Sequence, residues 1–301
     1  MWFRNLQLYR LPSPWRITAD QLAEQLGRLP FRSCGSQDLS TYGWTAPIPE
    51  GGLVHGVGGQ WIIALGVEQR LLPGSVINQV AADRALELEA QQGYKPGRKQ
   101  MKELKEAVVQ ELLPRAFTRR RRNWAWVDAK NGWLVIDAAS RKAAEPFIEA
   151  LSKALDELPL KLLNTKRGPA AAMTEWLLAS EAPGAFTIDQ DCELRSTTEE
   201  KSAVRYVRHT LEGSEVRDHI KAGKQATKLA LTFDDRISLV LTEQLEIKRL
   251  DFLDIVRESA QMADVASAEE QFDADIALMT GELQRLIPAL VNALGGEEAT
   301  V

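Results

Sequence analysis

Arg119-Arg-Arg-Arg-Asn-Trp-Ala-Trp-Val-Asp-Ala-Lys-Asn-Gly-Trp-Leu-Val-Ile-Asp137 is the most telling stretch of this chain. Asn131-Gly132 stands between two apolar runs. That dipeptide tolerates positive φ and is the strongest short signal for a β-hairpin. Ser140 follows as a helix cap, with a helix predicted to about Leu155. Strand, turn, strand, helix is a mixed pattern, and it sets the expected class as α+β. Trp124 and Trp126 alternate with Val127 on the first strand, a spacing that suits core packing better than base stacking. The four arginines at its head cannot be core.

On the N-terminal side of this stretch the pattern is helical. One helix is predicted from a cap at Ser75, with Val76, Val80 and Leu86 on an apolar face and Gly93 as its end. Lys95-Pro96-Gly97-Arg98 is a turn. A second helix carries Met101, Leu104, Val108 and Leu112 on one stripe, reaches about Leu113 and stops at Pro114. Together they make an αα-hairpin that would project its basic turn away from the body. Further upstream, 2–9 and 61–67 read as strands. Thr18 or Asp20 caps a helix with Leu22, Leu26 and Leu29 inward, and 34–60 is loop with short strands.

Downstream, helices are expected at 172–180 and at 214–222, the latter capped by Ser214 and closed by Gly223. Two strands flank a polar turn at Asp234-Asp235, and 246–252 is a third strand. Ser267-Ala-Glu-Glu270 matches a capping box. It opens a long helix with Phe272, Ile276, Met279, Leu283, Leu286, Leu290 and Leu294 inward, kinked at Pro288 and ended by Gly295-Gly296. The expected architecture is a central β-containing body (1–73 and 120–165), a helical finger (74–119) and a C-terminal α+β domain (166–301).

The chemistry-bearing inventory is thin. Two cysteines, Cys34 and Cys192, give no disulfide framework or metal spacing and suit a reducing cytoplasm. The N-terminus reads as a strand, not a signal peptide, and no apolar stretch is long enough to span a membrane. The three histidines, His55, His209 and His219, lack partners at metal-ligand spacing, and His219 reads as a surface residue. Gly56-Val-Gly-Gly59 lacks the lysine and hydroxyl of a phosphate loop, and Gly223-Lys224 fails likewise. Asp234-Asp235 suits a turn. Asp273 and Asp275, two apart on a helix, do not share a face. No catalytic residue, metal or cofactor is expected.

Charge is the exception. The chain is acidic, at net −5, yet residues 94–122 carry ten cationic side chains against three acidic ones, a balance of +7. Residues 201–228 add seven cations against three acids, while 251–301 stands at −9. A segregated basic surface on an acidic protein points to a polyanion, most simply nucleic acid. No helix-turn-helix, zinc finger or RNP motif offers base readout, so phosphate contact without sequence preference is expected. Two other readings stay open: a metal-dependent DNA-processing nuclease, and an interaction module whose basic patch meets an acidic protein.

Several segments together resemble the RdgC family of bacterial recombination-associated, DNA-binding proteins. They are Trp2-Phe-Arg-Asn-Leu6, Cys34-Gly-Ser-Gln-Asp38, Gly43-Trp44, Leu112-Leu-Pro-Arg-Ala-Phe117, Thr174-Glu-Trp176, Thr227-Lys-Leu-Ala-Leu231, Phe272-Asp-Ala-Asp275 and Met279-Thr-Gly-Glu-Leu283. Each is short, and their order and spacing carry the match. The resemblance implies a ring-shaped homodimer that encircles duplex DNA. It also implies binding to single and double strands, association with the nucleoid, and restraint of RecA-promoted recombination. Phe117 inherits the role of a phenylalanine that enters a partner pocket at one dimer contact. The DNA-contact set expected from charge and resemblance together is Lys95, Arg98, Lys99, Arg115, Arg119, Arg120, Arg121, Arg122, Arg205, Arg208, Lys224 and Lys228.

Overall fold

The computed structural model describes residues 1–197, 202–261 and 267–298. Lys201, one of the cations counted above, lies outside them. In chain order the elements are β1 (Gln7–Arg10), α1 (Ala19–Leu26), β2 (Ser40–Thr45), β3 (Val54–Val57), β4 (Gln60–Arg70), α2 (Gly74–Gln92), α3 (Arg98–Leu112), β5 (Thr118–Asp128), β6 (Trp133–Ile136) and α4 (Arg141–Ala154). There follow β7 (Lys161–Leu162), α5 (Pro169–Ala179), β8 (Phe186–Ser196), β9 (Ala203–Tyr206), α6 (Ser214–Lys221), β10 (Lys224–Phe233), β11 (Ile237–Thr242), β12 (Ile247–Phe252), α7 (Asp254–Gln261) and α8 (Ala268–Ala293). The class is α+β. The strands form two antiparallel sheets, one in the order β2-β4-β5-β6-β1-β7 with β3 also on β4, the other β12-β11-β10-β8-β9.

The hairpin at Asn131-Gly132 exists, with a different turn. Asp128 pairs with Trp133, so the loop has four residues. The Asp128 carboxylate, fully buried, accepts from the Asn131 backbone at 3.0 Å and its amide at 2.7 Å. Only the last loop position needs positive φ, and Gly132 supplies it at 71°. A Cβ there would meet the Leu11 carbonyl at 2.5 Å.

Both faces of the first sheet are covered. On one face, Leu22 and Leu26 of α1 and Phe147 and Leu151 of α4 pack on Trp44, Ile63, Leu65, Val127 and Leu134. Trp44 meets Phe147 edge-on at 5.1 Å. On the other, Leu8, Ile62, Trp126 and Val135 join Met173 and Trp176 of α5, Leu229 and Leu241 of the second sheet, and Ile276, Leu283 and Leu290 of α8 in a single cluster. The predicted inward stripe of α8 is therefore the common core of both sheets. Trp126 is fully buried, as the strand alternation requires.

Several caps match the sequence: Thr18 with Gln21 in a reciprocal box, Ser140 on Ala143, Ser267 on Glu270, and left-handed Gly93. Ser75 and Ser214 instead stand inside their helices, one to two residues past the true caps at Pro73 and Gly213. The first strand begins at Gln7, not residue 2, because Phe3 and Leu6 turn into the core ahead of it.

The largest departure concerns α2. Val76 and Leu86, expected on a packed face, are 41% and 67% exposed. Across α2 and α3 only Ala81 and Val108 are fully buried. The two helices pack mainly against one another, clipped by Arg84 to Glu111 and by Gln100 to Gln92. A two-helix hairpin has one seam to hide side chains in, and the rest of its surface stays in solvent.

Candidate nucleic-acid interface

Three basic surfaces emerge, each built differently. The first is the finger tip. Gly93 ends α2, and the Gly97 N–H donates to Gln100 Oε1 at 3.1 Å to start α3. The intervening turn leaves Lys95, Arg98 and Lys99 exposed beside Tyr94. Among the described residues none of the three has an ion-pair partner within 4 Å.

The second surface is the head of β5. Residues 118–122 are all exposed, while the same strand is buried from Ala125 onward. The pairing with β4 sets Arg119 opposite Gln69, Arg120 opposite Glu68, Arg121 opposite Val67 and Arg122 opposite Gly66. Since side chains alternate, the run is not one patch: Arg120 and Arg122 leave one face, Arg119 and Arg121 the other. Arg120 Nε donates to Glu68 Oε1 at 2.6 Å, and its Nη2 to Ser33 Oγ at 2.7 Å. Glu68 is 2% exposed. The bond from Arg120, followed by that from the Cys34 N–H, holds its carboxyl below the usual glutamate value. Arg122 lies over Trp124 at 5.8 Å. Arg119 and Arg121 have no ion pair among the described residues.

The cross-strand glycines Gly43 and Gly66 make this geometry possible. A Cβ on Gly43 would strike the Phe31 backbone at 2.6 Å, and one on Gly66 its ring at 2.8 Å. Without them the segment carrying Phe31 and Ser33 could not lie on the sheet beneath Arg120.

Phe117 sits at the junction of finger and sheet, 84% exposed. A large aromatic so exposed is not core. Its backbone, however, is fixed. The Leu71 N–H donates to its carbonyl at 2.7 Å. The Arg70 guanidinium reaches the carbonyls of Pro114, Ala116 and Gly35 at 3.2, 2.9 and 3.0 Å. Arg70 thus binds three chain segments together and presents Phe117 on a rigid ledge. Arg115 closes a short 3-10 turn (Leu113–Arg115) that ends two residues before Phe117, and has no ion pair among the described residues.

The third surface is the outer face of the second sheet, centred on Glu193, 4% exposed. Its Oε1 accepts from Arg195 Nη2 at 3.0 Å and Thr227 Oγ1 at 3.1 Å. Its Oε2 accepts from Arg205 Nη2 at 2.7 Å and Lys228 Nζ at 3.0 Å. Burial pushes this carboxyl up, but the bonds from Arg205 and Lys228 outweigh it and hold the group at about 2. A bulge in β10 between Ala226 and Lys228 sets Lys228 opposite Glu193. Beside it, Asp191 accepts the Arg208 N–H at 2.9 Å and Arg249 Nη1 at 3.1 Å. Arg208 has φ 51° and an exposed side chain.

So Arg205, Arg208 and Lys228 gather, joined by Arg195 and Arg249, which the sequence reading did not single out. Lys224 does not join them. It precedes the bulge on the face of Ala226, with Nζ 3.2 Å from His219 Nδ1. His219 is half-buried. No linear signal reveals Arg195, because Glu193-Leu-Arg195 becomes a cluster only through the register of three strands.

The remaining candidates are structural. Gly58 and Gly59 make the β3–β4 turn. Asp234 and Asp235 make the β10–β11 turn, both at positive φ. Asp273 bonds His55 Nε2 at 2.6 Å and Asp275 takes the Met1 amine, so the two acids serve different partners. Among the described residues, no group of three or more His, Cys, Asp or Glu converges as metal ligands. No helix among them is long and apolar enough to cross a membrane.

A family model described as "Putative exonuclease, RdgC" matches residues 1–297. Three similar proteins each carry the name "Recombination-associated protein RdgC". That of Dechloromonas aromatica (strain RCB) is 57% identical over 300 residues, covering 99% of this chain and 98% of its own. That of Herminiimonas arsenicoxydans is 54% identical over 299 residues, 99% of each chain. That of Burkholderia cenocepacia is 51% identical over 297 residues, 99% of this chain and 96% of its own.

Proposed function

This chain belongs to the RdgC family, and on that premise we propose that it binds DNA without sequence preference as a homodimeric ring, encircling duplex and restraining RecA-promoted recombination. The observation that carries the reading is the set of exposed cations without an ion pair among the described residues, on an acidic chain: Lys95, Arg98 and Lys99 at the finger tip, and Arg115, Arg119 and Arg121 at its root. An ordinary solvated helix or strand mixes its charges. Here the unpaired cations gather at the two ends of α3, whose own Lys102 and Glu106 pair, and no element among the described residues is suited to reading bases, which fits phosphate contact. Single strands would bind the same cations.

Phe117 supports the second half of the proposal. A rigidly held, exposed aromatic flanked by arginines is suited to enter a pocket on a second copy, and such anchors dominate interface energies. Exposed Val76, Leu86 and Leu71 lie on the same finger and its root. A ring of two chains would line its hole with the cations and keep acidic surface outward. Protein wrapped on the duplex would then obstruct recombinase filaments and strand exchange. The site of action would be the cytoplasm, on the nucleoid, with no cofactor required.

A gel shift over a salt series tests the binding claim. Unrelated duplexes should bind with similar strength, and log K should fall linearly with log salt. Strong preference for one sequence, or insensitivity to salt, contradicts it. The word exonuclease in the family description makes magnesium the natural added arm. Intact DNA after incubation is the expected result, and progressive shortening from the ends would establish a hydrolytic reading instead.

A further inference from the structure

We propose that Glu193 is a positioning residue for DNA binding: an acidic group whose neutralisation weakens, not strengthens, attachment to a polyanion. The inference rests on the DNA-binding reading above and concerns one surface of it.

Glu193 lies on the outer face of the second sheet, between β9 and β10. Both its oxygens are saturated: Arg195 and Thr227 on one, Arg205 and Lys228 on the other. Three cations on one anion leave the cluster at +2. Each cation spends a single donor atom on Glu193. Arg205 keeps 67% of its side chain exposed, Arg195 46% and Lys228 39%. The carboxylate is buried, and the remaining donors face solvent. Arg205 and Lys228 come from the strands on either side of β8, whose register sets both opposite Glu193, and the Glu193 carboxylate draws their heads together. Without that anion, two long cationic side chains repel each other and disperse.

Glu193→Gln keeps the shape of the side chain. It removes the charge and turns one acceptor into a donor aimed at the cations. Two effects then oppose each other. Long-range attraction for DNA rises, since the cluster moves from +2 to +3. Pre-organisation falls, since Arg205, Arg195 and Lys228 must be ordered anew on binding. The exposed setting screens the first effect strongly. The second acts at the contact itself and prevails.

The test is anisotropy of a fluorescein-labelled duplex titrated with the full chain over a salt series, with the fold of each variant checked by circular dichroism. Glu193→Gln should bind about tenfold more weakly, the scale of re-ordering two long side chains. Its log K against log salt slope should be shallower by about one per disengaged phosphate contact. A variant that is merely less stable would keep its slope once folded. Equal or tighter binding with an equal or steeper slope overturns the inference. Should Glu193→Gln not fold, Thr227→Val decides. It keeps every charge, removes one bond that fixes the carboxylate, and should weaken binding in the same sense, whereas unchanged affinity overturns the inference. Absence of binding by the unmodified chain would sink the DNA reading, and the inference with it. Binding by the unmodified chain, with none of these losses in the variants, sinks the inference alone.

Discussion

The head of β5 and the outer face of the second sheet are both basic, yet they hold their charge in opposite ways. On β5, Arg119 and Arg121 have no ion pair among the described residues, Arg122 bonds the Pro47 carbonyl and lies over Trp124, and Arg120 is tied to the buried Glu68. On the second sheet, Arg195, Arg205 and Lys228 all converge on Glu193. The first arrangement is available to a polyanion at once. The second exchanges some net charge for fixed geometry. A run of like charges therefore says little about function until its partners are known: four adjacent arginines divide into two faces, while cations far apart in sequence meet.

The largest effect should come from the four-arginine run. Replacing Arg119, Arg120, Arg121 and Arg122 together with Ser should lower DNA affinity by about a hundredfold or more at moderate salt, with the slope of log K against log salt reduced by about one per lost contact. Anisotropy over a salt series checks it, and unchanged affinity would mean that the run is solvated surface. Within the run, Arg120→Ser should also lower the melting temperature. It leaves the buried Glu68 carboxylate with the Cys34 N–H and no cation. Arg119→Ser and Arg121→Ser should shift stability by no more than about 0.5 kcal/mol each.

Next in size is Phe117→Ser. Truncating a hot-spot aromatic costs on the order of 2 kcal/mol or more of a contact. In the monomer the same change should be nearly neutral, because the ring is 84% exposed. Sedimentation equilibrium beside thermal melting separates the two. Loss of monomer stability would place the ring in an internal role. Arg70→Gln offers a complementary test. It leaves Phe117 in place but removes the brace of the ledge, so the dimer contact should weaken without loss of the aromatic.

Smaller still is the acid response of the paired cluster. The Glu193 carboxyl is held at about 2 against an ordinary 4.5. Its contribution to stability is complete above the higher value and is lost as pH falls toward the lower. Denaturant melts between pH 5 and pH 2 should show this loss in the unmodified chain, and Glu193→Gln should flatten it. Equal acid sensitivity in both would remove Glu193 as its source.

Much of this architecture was legible beforehand where local chemistry decides it. Thr18-Ala-Asp-Gln21, Ser140, Ser267 and Gly93 cap helices through bonds within a few residues, and the stripe from Ile276 to Leu290 needs only helical period. What depends on other strands was hidden. β8 was not anticipated, since Asp189, Asp191, Glu193 and Arg195 on its outward positions look unlike a strand, whereas Cys192 and Leu194 between them are core. The bulge that places Lys228 and not Lys224 beside Glu193 has no sequence mark. The exposure of Val76 and Leu86 was likewise unforeseen, because an apolar face on a helix implies a cover without saying which chain provides it.

The central proposal is that cations without an ion pair among the described residues line a hole through which duplex passes. Retention on DNA of different topology tests it directly. The unmodified protein should persist on covalently closed circular duplex under competitor challenge and leave linear duplex of the same sequence by its free ends, and Phe117→Ser should erase that difference. Equal retention of the unmodified protein on circular and linear duplex would contradict encirclement.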